Sequence, residues 1–420
     1  MNKNHKNDLK KIIKANLPSK SYRSGDPIRL QELPIDEKEI LEGIESLIST
    51  FVVMGEKCLK FEKAWSNWLG RKHSVFVNSG TSGILLAMMW LKFHKATKNK
   101  NEILIPAVTW STSLFPAIIV GLKPVLVDID LNNLCVNSFE KHITKNTLAF
   151  LPVHLMGHSC NMDKINKEAK KHNIIVIEDC CEAHGAKFKG KKVGTTGDVS
   201  VFSYMFAHHI ITIEGGMISV NNEKLADIHR MFRAHGWIRE ISEKNKKKII
   251  SENPDIHPTF LFPELGLNLR PTEISAAFGI HQIKKLDNFI KKRRVSYFKI
   301  FNKLIKYDKY LTLFPENKNE YLSPFAFPIL VKKNKYFTKN EILEHLSLNK
   351  IDHRPIAGSN LAEQPFMKRY KKYITIRGRL TNSKIVHKTG FFIGLNQDTD
   401  SSRVKYIIKT FDEFFKNKGL

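Results

Sequence analysis

Between residues 73 and 179 the sequence alternates short apolar runs with helical stretches, and no other feature narrows the possible folds as much. Residues 73–78, 103–105, 124–130, 148–154 and 174–179 read as strands. Residues 84–92, 113–120, 138–145 and 162–171 read as helices between them. Repeated strand–helix–strand units build a mostly parallel sheet covered on both faces, so the fold class is α/β. A chain of 420 residues exceeds what one hydrophobic core usually supports, and a second domain is expected. The pattern places an N-terminal extension and arm at 1–34, with a short helix at 8–15. A large α/β domain follows at 35–290 and a small C-terminal α+β domain at 291–420. Within these, 241–258 reads as a mobile surface loop and 286–303 as a long helix. In the last part 325–331 reads as a strand, 338–348 as a helix capped by Thr338, and 401–416 as a closing helix.

In sheets of this kind ligands collect at the C-terminal ends of the strands. Several of those ends carry chemistry here. Ser79-Gly80-Thr81-Ser82-Gly83 joins a strand to a helix N-terminus, where free N–H groups and the helix dipole favour an anion. The same residues would also make an ordinary capped turn. Trp110 suits a stacking platform or a core aromatic. Asp179 ends an apolar strand, so its carboxylate needs a cationic partner. Further on, an apolar run from Val201 to Phe206 ends at His208-His209. A strand-like run then leads to the turn signal Gly215-Gly216, and 217–220 reads as a strand. Two histidines thus sit on a short connection between buried strands, a common layout for reactive groups.

Phe202-Ser203-Tyr204 and Glu214-Gly215-Gly216, together with the Ser79–Ser82 turn, resemble the DegT/DnrJ/EryC1/StrS family of sugar aminotransferases. The likeness runs from about Asp26 to the C-terminus. It implies a pyridoxal-phosphate-dependent transferase of fold type I, like aspartate aminotransferase. It also implies that Gly80, Thr81, Ser82 and Ser203 hold the cofactor phosphate and that Trp110 stacks on the ring. Asp179 then bonds the ring nitrogen. Glu182, where Gln or His is more usual, lies near the cofactor hydroxyl or amine. Asn268, within Gly266-Leu267-Asn268-Leu269-Arg270, takes the position that reaches the neighbouring subunit's cofactor phosphate, which implies a homodimer with shared active sites. Gly55, His235, Arg239, Arg270, Asp352 and Arg354 fall at the substrate mouth, with Asp352 standing where glutamate is expected.

One departure sets the chemistry. The family's Schiff-base lysine falls on His208. Histidine cannot hold the cofactor covalently, but it can move a proton. The chain resembles the histidine-containing 3-dehydratase branch. That implies pyridoxamine phosphate as the entering form and loss of the C3 hydroxyl from a nucleotide-linked 4-keto-6-deoxy sugar. Glutamate would restore the amine. A GDP-linked 4-keto-6-deoxymannose, on the way to colitose in lipopolysaccharide, is the expected substrate. The branch also has an iron–sulfur type, which needs about four thiolates. The five cysteines are Cys58, Cys135, Cys160, Cys180 and Cys181, with no Cys-x-Cys, so no cluster and no metal site is expected. An aminotransferase and a non-catalytic sugar-nucleotide binding protein stay open as alternatives at this point.

Charge and hydropathy bound the partners. The formal net charge is +27, from 68 basic and 41 acidic residues. The lysines are scattered rather than gathered with aromatics on one face, which argues against nucleic acid. They suit a solvated, lysine-biased surface, or else a positive field that attracts an anionic substrate such as a nucleotide sugar. No apolar run reaches the ~18–20 residues of a membrane span. No apolar core follows the start Met1-Asn2-Lys3-Asn4-His5-Lys6, so no signal peptide is expected. An odd number of cysteines fits reduced thiols in a cytoplasm.

Overall fold

The computed structural model describes all residues except 20, 24 and 33. Its centre is an eight-stranded sheet. From one edge the strands run His73–Val77, Gly216–Val220, Val199–Ser203, Ile175–Asp179, Thr147–Phe150, Glu102–Pro106, Lys123–Val127 and Thr375–Ile376. Gly216–Val220 is antiparallel to both its neighbours; every other adjacent pair in the sheet is parallel.

Successive strand residues point to opposite faces, and the cores follow that rule. Ile103, Ile105, Leu126 and Ile177 pack into one apolar cluster with the helix Gly80–Trp90. Leu104, Val125, Val127 and Val176 pack into another. Phe76, Phe202 and Met217 join Phe61 and Trp65 of the helix Glu56–Leu69 in a third. A sheet buried on both faces explains why its strands read as near-continuous apolar runs.

A second, antiparallel sheet has the order Leu311–Leu313, Phe327–Val331, Gly390–Ile393, His353–Arg354. It packs on the C-terminal helix Ser401–Asn417 and on Tyr297, Ile300 and Leu304. Those three belong to a single helix, Glu273–Leu304, which starts well before the long helix expected at 286–303 and takes it in. It runs through residue 290 without a break and joins the two cores.

Other expectations change for identifiable reasons. Residues 138–145 form only a 3₁₀ turn, Glu140–His142, because Glu168 captures the Ser138 hydroxyl and the Phe139 N–H. Residues 241–258 contain a helix, Glu243–Ser251, whose Ile249 and Ile250 pack against the core. Residues 210–213 form no strand, and Ile213 adopts a left-handed φ of 69°. The N-terminal segment begins with a longer helix, Lys3–Asn16. Further along, the segment is tied down: Ile28 is buried and bridges to Ile351 of the second core. No helix among the described residues is long and apolar enough to cross a membrane.

Candidate active site

The site assembles where the C-terminal ends of the central strands meet the helix Gly80–Trp90. Ser79 caps this helix, its hydroxyl accepting from Ser82 N–H at 3.1 Å. Ser82 is buried and its own hydroxyl donates to Asn78 Oδ1 at 2.6 Å, whereas Thr81 is exposed. Gly80 is required by close approach: a Cβ there would lie 2.6 Å from that of Ser203. Gly216 is likewise required by close approach, since a Cβ there would lie 2.3 Å from the Ser79 carbonyl oxygen, so it serves packing rather than a turn. The capped turn, Ser203 and the Gly216 strand therefore form one tight corner.

Asp179 lies beside that corner, in register with Val201 on the neighbouring strand. It is only 4% exposed. Its carboxylate accepts from Ser113 Oγ at 2.8 Å and from Cys181 N–H at 3.2 Å. No cation lies within 4 Å of it among the described residues. Ser113 also pairs with Thr109 at 2.7 Å, which fixes the turn that carries Trp110. That tryptophan is 58% exposed, so its indole is free to meet a ligand. Glu182 is partly buried and accepts from Met156 N–H at 2.9 Å. Burial, with the Asp179 charge adding, pushes its carboxyl up to about 7.

His208 and His209 are both buried. The His208 ring lies 6.0 Å from His184 and 5.5 Å from Phe325, centroid to centroid. Its Nδ1 is buried without a partner. Burial, with the Arg293 charge adding, drives the imidazole down to about 3, so it is neutral near pH 7. His209 differs: its Nε2 meets the Ser323 carbonyl at 3.2 Å and hydroxyl at 3.1 Å. Among the described residues no lysine is buried.

The other expected residues are spread over several segments. Asn268 and Arg270 pair, Arg270 Nε donating to Asn268 Oδ1 at 3.0 Å. Their loop is held to the Ser79 corner by Asn78 N–H donating to Leu269 O at 3.1 Å. His235 joins the same loop, its N–H donating to Leu267 O at 3.0 Å. His235 and Arg239 are exposed, and Arg239 stacks over Trp237. Gly55 is fixed from beneath by Glu273, its N–H donating to Oε1 at 2.9 Å. Asp352 and Arg354 are exposed on the second sheet and make no hydrogen bond or ion pair with the other site residues. Sequence reasoning did not single out His184, Ser113, Phe325, Gln31 or Arg293. Ser113 alone had a nearby signal, the run of hydroxyls after Trp110.

The residues present fit a phosphorylated pyridine cofactor. A glycine cradle and a capped helix N-terminus suit the phosphate, and a buried carboxylate without a cation suits a protonated ring nitrogen.

Comparison with known proteins places this geometry. The GDP-4-keto-6-deoxy-D-mannose 3-dehydratase of Yersinia pseudotuberculosis is 36% identical over 378 residues, covering 88% of this chain and 94% of that protein. The Escherichia coli GDP-4-keto-6-deoxy-D-mannose 3-dehydratase, solved with bound hydrated pyridoxal phosphate, superposes with a TM-score of 0.84 at 34% identity. That match covers 91% of this chain and 98% of the solved one. A GDP-4-keto-6-deoxymannose 3-dehydratase with a trapped pyridoxal phosphate–glutamate geminal diamine superposes with a TM-score of 0.82 at 32% identity, covering 91% and 99%. The profile of the DegT/DnrJ/EryC1/StrS aminotransferase family matches residues 34–412, and the chain belongs to that family.

Proposed function

We propose that this protein is a pyridoxamine-phosphate-dependent 3-dehydratase that removes the C3 hydroxyl of a nucleotide-linked 4-keto-6-deoxy sugar, GDP-4-keto-6-deoxy-D-mannose, with glutamate as amine donor. The observation that carries the reading is a buried histidine at position 208, with no buried lysine among the described residues. Without that lysine the cofactor is not anchored covalently and amine transfer to the sugar loses its acid–base group. Relatives that share most of this chain are named for the same reaction.

When bound, the cofactor supplies an amine to the C4 ketone and a ring that accepts electrons. The chain supplies the rest. Asp179 holds the proton on the ring nitrogen. The free N–H groups at the start of the Gly80–Trp90 helix, with Gly80, Thr81, Ser82 and Ser203, grip the phosphate. Trp110 would offer its exposed indole to the ring, and Glu182 would serve the cofactor hydroxyl or amine. His208 takes a proton at Nε2, since Nδ1 is sealed, and returns one to the departing C3 oxygen, which leaves as water. In the completed cycle the sugar loses one oxygen and gains none. Glutamate becomes 2-oxoglutarate and its nitrogen leaves as ammonia.

The mouth is formed by Gly55, His235, Arg239, Arg270, Asp352 and Arg354, where the arginines suit a diphosphate or a carboxylate. Asn268 serves the partner's site in a homodimer. Its exposure beside exposed Leu265 and Leu267 supports that reading.

The test is to incubate the protein with pyridoxamine phosphate, glutamate and either GDP- or CDP-linked 4-keto-6-deoxy sugar, and to follow products by mass. A 3-deoxy-4-keto sugar with ammonia and 2-oxoglutarate is expected from the GDP sugar. A 4-amino sugar as the main product overturns the reading.

A further inference from the structure

Arg293 lies on the Glu273–Leu304 helix and is fully buried. No carboxylate lies within 4 Å of its guanidinium among the described residues. Its partners are neutral. Nη1 donates to Leu395 O at 2.7 Å, Phe325 O at 2.9 Å and Pro324 O at 3.4 Å. Nη2 donates to Gln31 Oε1 at 3.0 Å and Gln397 Oε1 at 3.4 Å. Gln31 then passes the contact on, its Nε2 donating to the carbonyl of His208 at 3.2 Å.

One guanidinium thus holds two things around His208. Through Gln31 it holds the backbone, and through the Phe325 carbonyl it holds the segment whose ring packs 5.5 Å from the imidazole. A buried cation whose hydrogen-bond acceptors are all neutral, with only the Asp398 charge beyond them to favour it, is costly, and an apolar side chain of similar size would fill the same junction with less penalty. The planar fork is what an apolar residue cannot supply: several carbonyls on different segments fixed at once. The segments come from three parts of the chain, the N-terminal strap, the loop at 324–325 and the end of the Gly390–Ile393 strand.

We infer that Gln31 and Arg293 are positioning residues that fix His208 for proton transfer, an inference that rests on the dehydratase reading. They touch no reacting atom and act through the backbone and packing of His208. The ionisable groups facing this imidazole are His184, His209 and Arg293; Phe325 offers only its ring. The Arg293 charge adds to burial in keeping the imidazole unprotonated.

The test uses the full chain with Gln31→Leu and Arg293→Lys. Gln31→Leu removes both relay bonds at a half-buried position without stranding a charge. Three quantities are read: the thermal midpoint, kcat and KM with the GDP-linked 4-keto-6-deoxy sugar, and the His208 imidazole resonance, assigned by its loss in His208→Asn. Gln31→Leu is expected to stay folded, lower kcat ~10–100-fold with KM unchanged, and move the His208 resonance. Arg293→Lys keeps the charge but not the fork, so its imidazole stays unprotonated near neutrality while kcat falls. A folded Gln31→Leu protein with wild-type kcat and an unmoved His208 resonance overturns the inference, whatever Arg293→Lys does. If the wild type does not dehydrate the sugar yet Gln31→Leu moves the resonance, the reaction reading fails and the positioning role stands.

Discussion

Glu178 and Asp179 are neighbours on one strand and point to opposite faces of it. Behind the sheet, Glu178 is completed by the chain itself. It accepts from the N–H groups of Gly194, Thr196 and Gly197 and from His154, and Arg71 lies 3.9 Å away. Burial pushes its carboxyl up, but His154, the Gly197 N–H and Arg71 outweigh that and hold it at about 2. On the cleft side Asp179 has two neutral donors and, among the described residues, no cation within 4 Å. His209 and His208 repeat the contrast in part: Nδ1 of each is buried without a partner, but His209 is tied to Ser323 through Nε2, whereas His208 has no ring hydrogen bond among the described residues. The same residue types, one position apart, are structural where the chain satisfies them and incomplete where a ligand is needed.

The hardest test of that contrast is His208→Asn beside His209→Asn. The first is expected to bind cofactor, keep its stability and lose ~10²–10⁴-fold in dehydration. The second is expected to melt earlier and to keep most of its turnover. Steady-state rates and thermal midpoints on both read the answer, and the reverse pattern rejects the assignment of roles. Asp179→Asn against Glu178→Gln comes next. Asp179→Asn removes a buried carboxylate without a counter-ion, so the apo protein stays as stable while turnover drops ~10²-fold or more. Glu178→Gln strands Arg71 and His154 and is expected to lose about 3 kcal/mol or more in urea unfolding. An Asp179→Asn enzyme with wild-type turnover breaks the comparison at its centre.

How much of this the sequence revealed follows the same division. The strand end at Asp179 was legible because an apolar run stops there at a polar residue, and local rules act within a few residues; the run read from Val201 to Phe206 was too long, since the strand ends at Ser203. The capped turn at Ser79 was legible for the same reason. What failed depended on distant partners. Residues 138–145 carry helical spacing, but Glu168 holds Ser138 and Phe139 in a turn. Residues 243–251 look like a charged loop, but Asp227 accepts from the Ser242 N–H and hydroxyl and from Asn245, which starts a helix there. Gln31 and Arg293 are 262 residues apart, and no local pattern joins them to His208.

The rim should respond less than the floor. His235, Arg239 and Arg354 are exposed and Arg270 is half-buried, so solvent screens their charges. Alanine at each is expected to raise KM for the nucleotide sugar or glutamate ~5–20-fold with little change in kcat. Michaelis constants unchanged at all four positions would remove them from the mouth.

The smallest effect is on stability against pH, and here floor residues oppose one another. His208, and with it His184 and His209, have imidazoles depressed by burial below the ordinary 6.5. Below that value the unfolded chain binds protons the folded one refuses, so these groups make stability fall as the pH drops under 6.5. Glu182 works the other way. Its carboxyl is raised from 4.5 to about 7, so the folded chain keeps a proton that the unfolded chain has released across that window. Its contribution is fully present below 4.5 and is lost as the pH rises through about 7. Glu182→Gln deletes the Glu182 part alone. Its unfolding free energy in urea relative to wild type should therefore improve between pH 4.5 and about 7, by on the order of 1–2 kcal/mol once solvent screening is allowed for. A difference between the two proteins that stays flat across that window would mean that Glu182 already has a charged partner, and that the cleft floor is more complete in the apo chain than the contrast with Glu178 requires.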